Sequence, residues 1–402
     1  MGGADPVKRP ALLLLVLGLV AALAAQAPAQ GERPKRRKDR CTFCDHDPEV
    51  LAANGMSHGP FPFARTDSTR IAEQGLWRPT LLETEHFRIL GDFPAWKIPM
   101  DEVKAYRAEL AALRDRWPLV KEKPGTLDRW YRIHLLGERL EALYDRFCEL
   151  VGTSDEEFLD PARNEQRGVG RYLGEKEKYE VMVFAEASAY REFMVDTWGL
   201  GYLKPQCWNN VDRDCMWFGV NLQTEDIHHD KHLAAVVVHN VAHNLLNGYM
   251  HYSYEMPVWI YTGIGHWAER AFDDRFNTFC TIEGSFDVGK AAKDWAVQVR
   301  KLVEKDRAAS FAQFLRKKSL AELDFPDHLV SWSKFQFLAE EHPQKMAAWL
   351  TRLKTRRDAR GMPDGRNLDA AQRAAFKDLF GWTLAQAEEA WRSWVLATYP
   401  AQ

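Results

Sequence analysis

The spacing of apolar residues predicts a mainly helical chain with a few short strands. Apolar runs predict strands in EHFRILGDF from near Thr84, over residues 180–184 and over residues 215–220. Apolar positions three and four apart predict helices over residues 101–117, 127–151, 188 onwards, 230–247 and 257–276. Gly248 is expected to end the fourth of these helices, and Pro257 to open the fifth.

Beyond residue 288 every apolar pattern is helical. The predicted helices are residues 288–305, 311–317, 327–341, 344–356, 368–380 and 384–398, with breaks at Pro326, at Pro343 and in GMPDGRN. The fold class expected is therefore α+β and predominantly helical. We predict an α+β body over residues 84–287, an all-α part over residues 288–402, and a basic, Cys-containing linker over residues 30–83.

The first 29 residues have the pattern of a secretory signal. Lys8 and Arg9 precede an apolar run over residues 11–25, and the small residues of AQAPAQ follow it. The run is shorter than the roughly 20 residues that span a bilayer. We expect cleavage after Ala27 or Ala29, a secreted, periplasmic or cell-envelope protein, and no stable membrane span thereafter. A retained anchor is the alternative.

Composition narrows the choice of partners and compartment. A formal net charge of −3, spread evenly, argues against nucleic acid. Six cysteines, an even number, suit an oxidising compartment, and Cys207 with Cys215 is the expected local disulfide. Cys41 and Cys44 form a CxxC, but no second CxxC completes four ligands. This segment is therefore expected to hold a disulfide or to be a tethered loop, in preference to a metal site.

Two histidines give the chain its clearest candidate chemistry. His239 and His243 are four residues apart on a predicted helix, so at about 100° per residue their rings point the same way. A second helix, opening at Pro257, follows a short loop and can close over them. This is a common way to build a zinc site, although the same pattern also fits core or capping histidines.

The residues around this pair resemble the gluzincin metallopeptidases, especially aminopeptidase-type and peptidase MA-like domains. Their pattern is HExxH, eighteen or more residues, then a helix of the form PxWLxEGxAxYxE. In this chain eighteen residues separate His243 from Thr262, within the segment PVWIYTGIGHWAER. The residues in register with the second helix are Pro257, Trp259, Ile260, Gly263, Gly265, Trp267 and Glu269. The resemblance covers roughly residues 84–399 and implies a zincin-like fold.

Two positions depart from the family's pattern. Asn240 stands where the family has its general base, and Thr262 stands where the family has its third zinc ligand. An amide does not accept a proton near neutral pH, and general-base assistance is typically worth about 10²–10⁴ in rate. A neutral hydroxyl is a poor zinc ligand. The resemblance with both changes implies a pseudoenzyme.

His266, one turn beyond Thr262, could complete a zinc site with His239 and His243, but it lies about 6 Å further along the helix axis. The alternatives are a metal-free hydrogen-bonded histidine cluster and weak metal binding by two histidines. The expected cofactor is therefore none, or weakly bound zinc. Glu269, Tyr261 and Trp267 are the expected cleft-lining or supporting residues.

Three functions follow from these patterns. The first is an exported pseudopeptidase that keeps a scaffold or a binding cleft, with a peptide or protein as the class of partner. The second is a zinc-dependent hydrolase that uses His239, His243 and His266, with Glu269 or Glu255 as base. The third is a structural or interaction protein of the cell envelope.

Overall fold

A five-stranded mixed sheet forms the centre of the fold. The computed structural model describes residues 40–75, 77–157, 170–224, 226–250, 256–284, 286, 293–360 and 364–401. The strands are β1 (Pro62–Phe63), β2 (Thr66–Asp67), β3 (Thr80–Glu83), β4 (Phe87–Gly91), β5 (Trp96–Lys97), β6 (Thr126–Leu127), β7 (Tyr179–Phe184), β8 (Gln206–Asn210) and β9 (Cys215–Asn221). The sheet order is β3-β4-β7-β9-β8. Its three inner strands are parallel, and both edge strands are antiparallel to their neighbours.

Helices cover both faces of this sheet and build the C-terminal part. They are α1 (Pro48–Ala53), α2 (Ser68–Glu73), α3 (Val103–Leu113), α4 (Arg129–Val151), α5 (Ala187–Trp198), α6 (Asp230–Met250), α7 (Val258–Phe272), α8 (Trp295–Glu304), α9 (Phe311–Phe314), α10 (Phe325–Glu341), α11 (Pro343–Lys354), α12 (Leu368–Ala375) and α13 (Leu384–Thr398). A π-helical turn, Phe376–Phe380, follows α12. The predicted fold class, α+β and predominantly helical, is confirmed.

The three inner strands are buried on both faces, as expected of parallel strands covered by helices. One face, with Ile89, Val181 and Phe218, packs in the same core as α4 and α6. The other face, with Met182 and Trp217, packs against α5. This layering holds α6, the histidine helix, directly against the sheet.

Helix α6 is fixed at its first turn by a buried ionic group. The carboxylate of Asp230 accepts hydrogen bonds from Arg132 Nε at 2.9 Å, Arg139 Nη1 at 2.9 Å and Tyr106 Oη at 3.0 Å. Both arginines lie on α4, and both ion pairs are almost completely buried. Burial acts to raise the pKa of Asp230, but Arg139 and Arg132 outweigh it and lower that pKa. The network therefore sets the position of the histidine helix relative to α4.

The prediction that Gly248 ends the histidine helix is wrong. Helix α6 continues through Gly248 to Met250. A Cβ atom at residue 248 would lie 2.3 Å from Tyr179 Oη on β7. The glycine therefore permits close packing of the helix on the sheet. It does not end the helix in a left-handed backbone conformation.

The predicted linker over residues 30–83 is folded from Cys41 onwards. This segment contains α1, β1, β2, α2 and β3. Phe43, Phe63 and Ile71 are fully buried there. These elements are short and have no sustained period, so the sequence pattern did not reveal them. The part of the linker before Arg40 and the predicted signal of residues 1–29 lie outside the described residues.

The predicted disulfide between Cys207 and Cys215 is not formed; both are free thiols. Strand pairing places Cys207 opposite Phe218, and Cys215 opposite Asn210. Residues directly opposite each other share one face of a sheet, and successive residues alternate between faces. The two cysteines therefore point to opposite faces.

Among the helices that the structure describes, none has both the length and the apolar character that a membrane span requires.

Candidate metal centre

Helix α6 presents its two histidines to the interior side by side. The rings of His239 and His243 lie with centroids 4.7 Å apart, and both side chains are fully buried. This is the shared orientation that the four-residue spacing predicts. Helix α7 crosses directly over the two rings and forms the opposite wall.

Gly265 on α7 makes room for the histidines. A Cβ atom at this position would lie 2.4 Å from His243 Nε2 and 2.9 Å from His239 Nε2. Carbon and nitrogen atoms that are not bonded do not approach so closely without displacing one another. The site therefore requires glycine at residue 265 for space.

The third donor residue of the group is an acidic one, Glu283, which the sequence patterns did not indicate. Its carboxylate lies 3.0 Å from His239 Nε2 and 4.0 Å from His243 Nε2. Two donors hold it: the Thr262 hydroxyl at 2.9 Å and the Cys280 backbone N–H at 2.8 Å. Thr262 thus supports the carboxylate from the position where the resembled family carries its own glutamate. No periodic pattern marks Glu283, because it lies in the irregular chain after α7.

A second buried carboxylate, Glu269, lies on the other side of the first histidine. Its Oε2 is 3.4 Å from His239 Nδ1 and 3.8 Å from His266 Nδ1. The Thr278 backbone N–H and hydroxyl both donate to Glu269. A carboxylate on the far nitrogen of a histidine fixes the ring and its tautomer, as is usual behind metal-binding histidines.

His266 lies beside His239, with ring centroids 4.9 Å apart, and the three-histidine site stays a prediction. His266 Nε2 lies 3.1 Å from His328 Nδ1 on α10, and its ring packs edge-on against Trp295. Among the described residues, its donor atoms group with His239 and Glu269, and with Glu283 and His328. The donor group that contains His243 is instead completed by His239 and Glu283.

Charge is distributed unevenly over the cluster. Burial acts to lower the pKa of His239, but the Glu283 and Glu269 carboxylates outweigh it and raise that pKa to about 9. Burial lowers the pKa of His243 to about 3. Burial acts to raise the pKa of Glu283, but His239 holds it well below its usual value. At neutral pH His243 is therefore neutral, the form that binds metal, whereas His239 carries a proton that a metal ion would have to displace.

The donor set fits a divalent metal ion. His239, His243 and Glu283 form a group whose ligand atoms all lie within 4.8 Å of one another. Ligands in a tetrahedral zinc site lie about 3.3–3.6 Å apart. His239 Nε2 lies 3.0 Å from Glu283 Oε2, and His243 Nε2 lies 4.0 Å from the other carboxylate oxygen, Oε1. Both ring nitrogens of His243 are buried without a hydrogen-bond partner. An ion at this point would satisfy one of them.

A cavity of about 600 Å³ lies next to this site, and neither histidine nor Glu283 is among the described residues that line it. Its wall includes Asn240, Tyr261, Cys207 and Cys280. Tyr261 also stacks on His243, with ring centroids 4.0 Å apart. Asn240 donates to the Val236 carbonyl of its own helix at 2.9 Å. Asn240, which aligns with the general base of the resembled family, thus borders the cavity with an amide side chain.

Trp267, predicted to line the cleft or to support the site, lies away from this cavity. Trp267 packs against Phe335 of α10, and the Arg146 guanidinium lies 3.7 Å from the centre of its ring. It therefore belongs to helix packing and does not line the described cavity. Glu255, one of the two bases considered for a hydrolase, lies outside the described residues.

No protein-family model matches this chain, and no curated protein or solved structure matches it either. The resemblance to gluzincins therefore rests on the residues quoted above and stays a prediction.

Proposed function

We propose that this protein is an exported, zincin-like zinc-binding protein that does not hydrolyse peptides. In this proposal His239, His243 and Glu283 hold the ion, and the adjoining cavity binds a peptide or a protein segment. The observation that carries it is the Glu283 carboxylate, which lies within reach of both histidine Nε2 atoms.

Several features of the surroundings support metal binding. Two histidines and one carboxylate are a donor set that proteins use for zinc with an open fourth position. Glu269 backs His239, while Thr262 and Cys280 orient Glu283. Such outer contacts fix the ligands and raise metal affinity. Zinc held there would supply Lewis-acid polarisation of a carbonyl group or of a water molecule.

The described residues of the cavity wall include no carboxylate, which supports the proposed lack of peptidase activity. Asn240 borders the cavity at the position of the family's general base, and its amide cannot take a proton from water near neutral pH. Glu269 is fully buried, accepts hydrogen bonds from Thr278 and lies 3.4 Å from His239 Nδ1, so it is not free to serve the cavity. Neither Asn240 nor Glu269 can therefore act as the general base for a water molecule in this cavity.

Asn240→Glu is expected to create zinc-dependent peptide hydrolysis by itself. Glu283 already occupies the third-ligand place, so only the base is lacking, and its restoration is expected to raise the rate by about 10²–10⁴. The assay follows cleavage of a mixed peptide library with added zinc. Asn240→Gln is the matched control, because it has the size of glutamate without its basicity.

Wild-type protein is expected to give no cleavage in the same assay. Zinc-dependent cleavage by wild type that His239→Ala abolishes would overturn the proposed lack of catalysis. Equal rates for Asn240→Glu and Asn240→Gln would contradict the role assigned to residue 240.

A zinc-dependent hydrolase is the second candidate function. The observation that favours it is again Glu283, since a third ligand removes one of the two deficits that the sequence indicates. This version uses His239, His243 and Glu283 in place of the three histidines. It predicts activity in the wild type, so the same library assay separates the two candidates.

A further inference from the structure

A second group of metal-binding side chains lies near the beginning of the described chain, separate from the central group. It comprises Cys41, Cys44, His58 and His134, whose donor atoms all lie within 4.8 Å of one another. Three of these residues are buried, and His58 is half-buried. Cys41 and Cys44 flank a turn, His58 follows α1, and His134 lies on the first turns of α4. No residue of this group belongs to the central group.

The distances match the edges of a small tetrahedron. Cys41 Sγ lies 3.6 Å from His134 Nε2, and Cys44 Sγ lies 3.7 Å from His58 Nε2 and 3.9 Å from His134 Nε2. The two histidine Nε2 atoms are 3.0 Å apart. With zinc–sulfur bonds of about 2.3 Å and zinc–nitrogen bonds of about 2.0–2.1 Å, such edges are about 3.6 Å for sulfur to nitrogen and about 3.4 Å for nitrogen to nitrogen.

Neighbouring groups orient these ligands. The Cys44 backbone N–H points at Cys41 Sγ, at 3.4 Å. The far nitrogen of His58, Nδ1, lies 2.8 Å from His46 Nδ1, so its Nε2 is turned towards the thiols. Phe43 stacks on the His134 ring with centroids 4.5 Å apart and planes within 8°. A second partner on a histidine's other nitrogen is the usual support for a metal ligand.

We propose that Cys41, Cys44, His58 and His134 bind a structural zinc ion. Two thiolates and two imidazoles in a tetrahedron select zinc among the common divalent ions. Four protein ligands leave no open position, so the site has a structural role rather than a catalytic one. The sequence prediction for this CxxC was a disulfide or a tethered segment, but both sulfurs are free thiols. The ligands that complete the site are single histidines, one of them 90 residues after Cys44.

The ion would join the segment from Cys41 to His58 to helix α4. The same helix carries Arg132 and Arg139, which hold Asp230 at the start of the histidine helix. The zinc would therefore stabilise helix α4, which holds the first turn of α6, without contact with the central cavity. This inference does not depend on the proposed function.

Cobalt substitution of the full-length protein tests the proposal directly. Cobalt bound by thiolates gives an intense near-ultraviolet charge-transfer absorption, which a site of nitrogen and oxygen ligands lacks. We expect this band after metal removal and titration of the wild type with Co²⁺, with one thiolate-bound ion per chain. Cys44→Ser is expected to lose most of the band and to bind one zinc fewer. Cys148→Ser, which changes a partly exposed free thiol, is expected to keep both.

Two results would overturn the proposal. One is a wild type that gives no thiolate–cobalt band. The other is a Cys41–Cys44 disulfide, found by mass spectrometry of protein alkylated and prepared with zinc present. If Cys44→Ser fails to fold, the wild-type spectrum decides. Loss of the central ion leaves the band intact, so failure of the proposed function is distinguishable from failure of this site.

Discussion

Asp230→Ala is expected to lower the free energy of unfolding by about 3–5 kcal/mol. The carboxylate of Asp230 is 3% exposed and faces Arg132 and Arg139, each at 2.9 Å. Its removal leaves two buried guanidinium groups without their shared counter-ion, and Arg132 Nη2 already lacks a hydrogen-bond partner. The cost arises chiefly from the uncompensated charge of Arg132, since Arg139 keeps its ion pair with Glu109, and it is measured by urea unfolding at neutral pH.

The matched control is Tyr106→Phe, which removes only the hydroxyl that donates to Asp230 and is expected to cost about 1 kcal/mol.

The arginines hold the folded-state pKa of Asp230 below its reference value of 3.8. Its contribution is therefore complete above that value and is lost as pH falls through the folded-state pKa. A stability difference that stays constant from neutral pH down to pH 2, or one below 1 kcal/mol, would contradict this account.

Gly265→Ala is expected to abolish metal binding at the central site. The added Cβ would lie 2.4 Å from His243 Nε2, and Tyr261 stacks on that ring at 4.0 Å, so the ring cannot retreat freely. Overpacking of this kind typically costs about 1–3 kcal/mol, partly offset by the better helix propensity of alanine. Zinc content and urea unfolding are the two measurements.

Gly263→Ala is the control for the loss of metal. It lies on the same helix, but its added Cβ would meet Phe335 Cβ at 2.7 Å and the Ser331 carbonyl at 2.9 Å, both on α10. We expect this variant to be destabilised and to keep the central zinc. Equal zinc content in the two variants would show that Gly265 does not act through the histidine rings.

The helices and inner strands were predictable because their burial repeats along the chain. Strand β9 and helices α4, α6 and α13 begin within about two residues of their predicted starts, since strong apolar periodicity fixes them. The N-terminal segment was not predictable in this way. Its strands β1 and β2 have two residues each, too few to show a period, and its buried side chains depend on contacts with distant elements.

Two of the three residues proposed to bind the central ion could be placed together from the sequence. His239 and His243 share a helix, so their spacing alone placed them together. Glu283 lies 40 residues beyond His243 in irregular chain, and its position depends on the Thr262 hydroxyl and the Cys280 N–H. Contacts of this kind have no signature in sequence. The sequence suggested His266 as the third ligand, one turn beyond Thr262. In the structure, His266 Nε2 lies 3.1 Å from His328 Nδ1.

The N-terminal cluster was missed for a related reason. Sequence patterns reveal zinc sites best when all four ligands come in close pairs. Here only Cys41 and Cys44 form such a pair, while His58 and His134 come from different elements. From sequence alone the single CxxC therefore favoured a disulfide, because the two histidines come close to it only in the folded chain.

The central claim is that Glu283 completes a metal site with His239 and His243. The most direct test is the number of zinc ions bound per chain by the wild type, by Glu283→Gln and by Glu180→Gln after metal removal and reloading. Glu180 is an equally buried glutamate on β7, outside both metal-binding groups. We predict that Glu283→Gln holds one zinc fewer than the wild type, while Glu180→Gln holds the same number. Equal zinc content in the wild type and Glu283→Gln would contradict the claim.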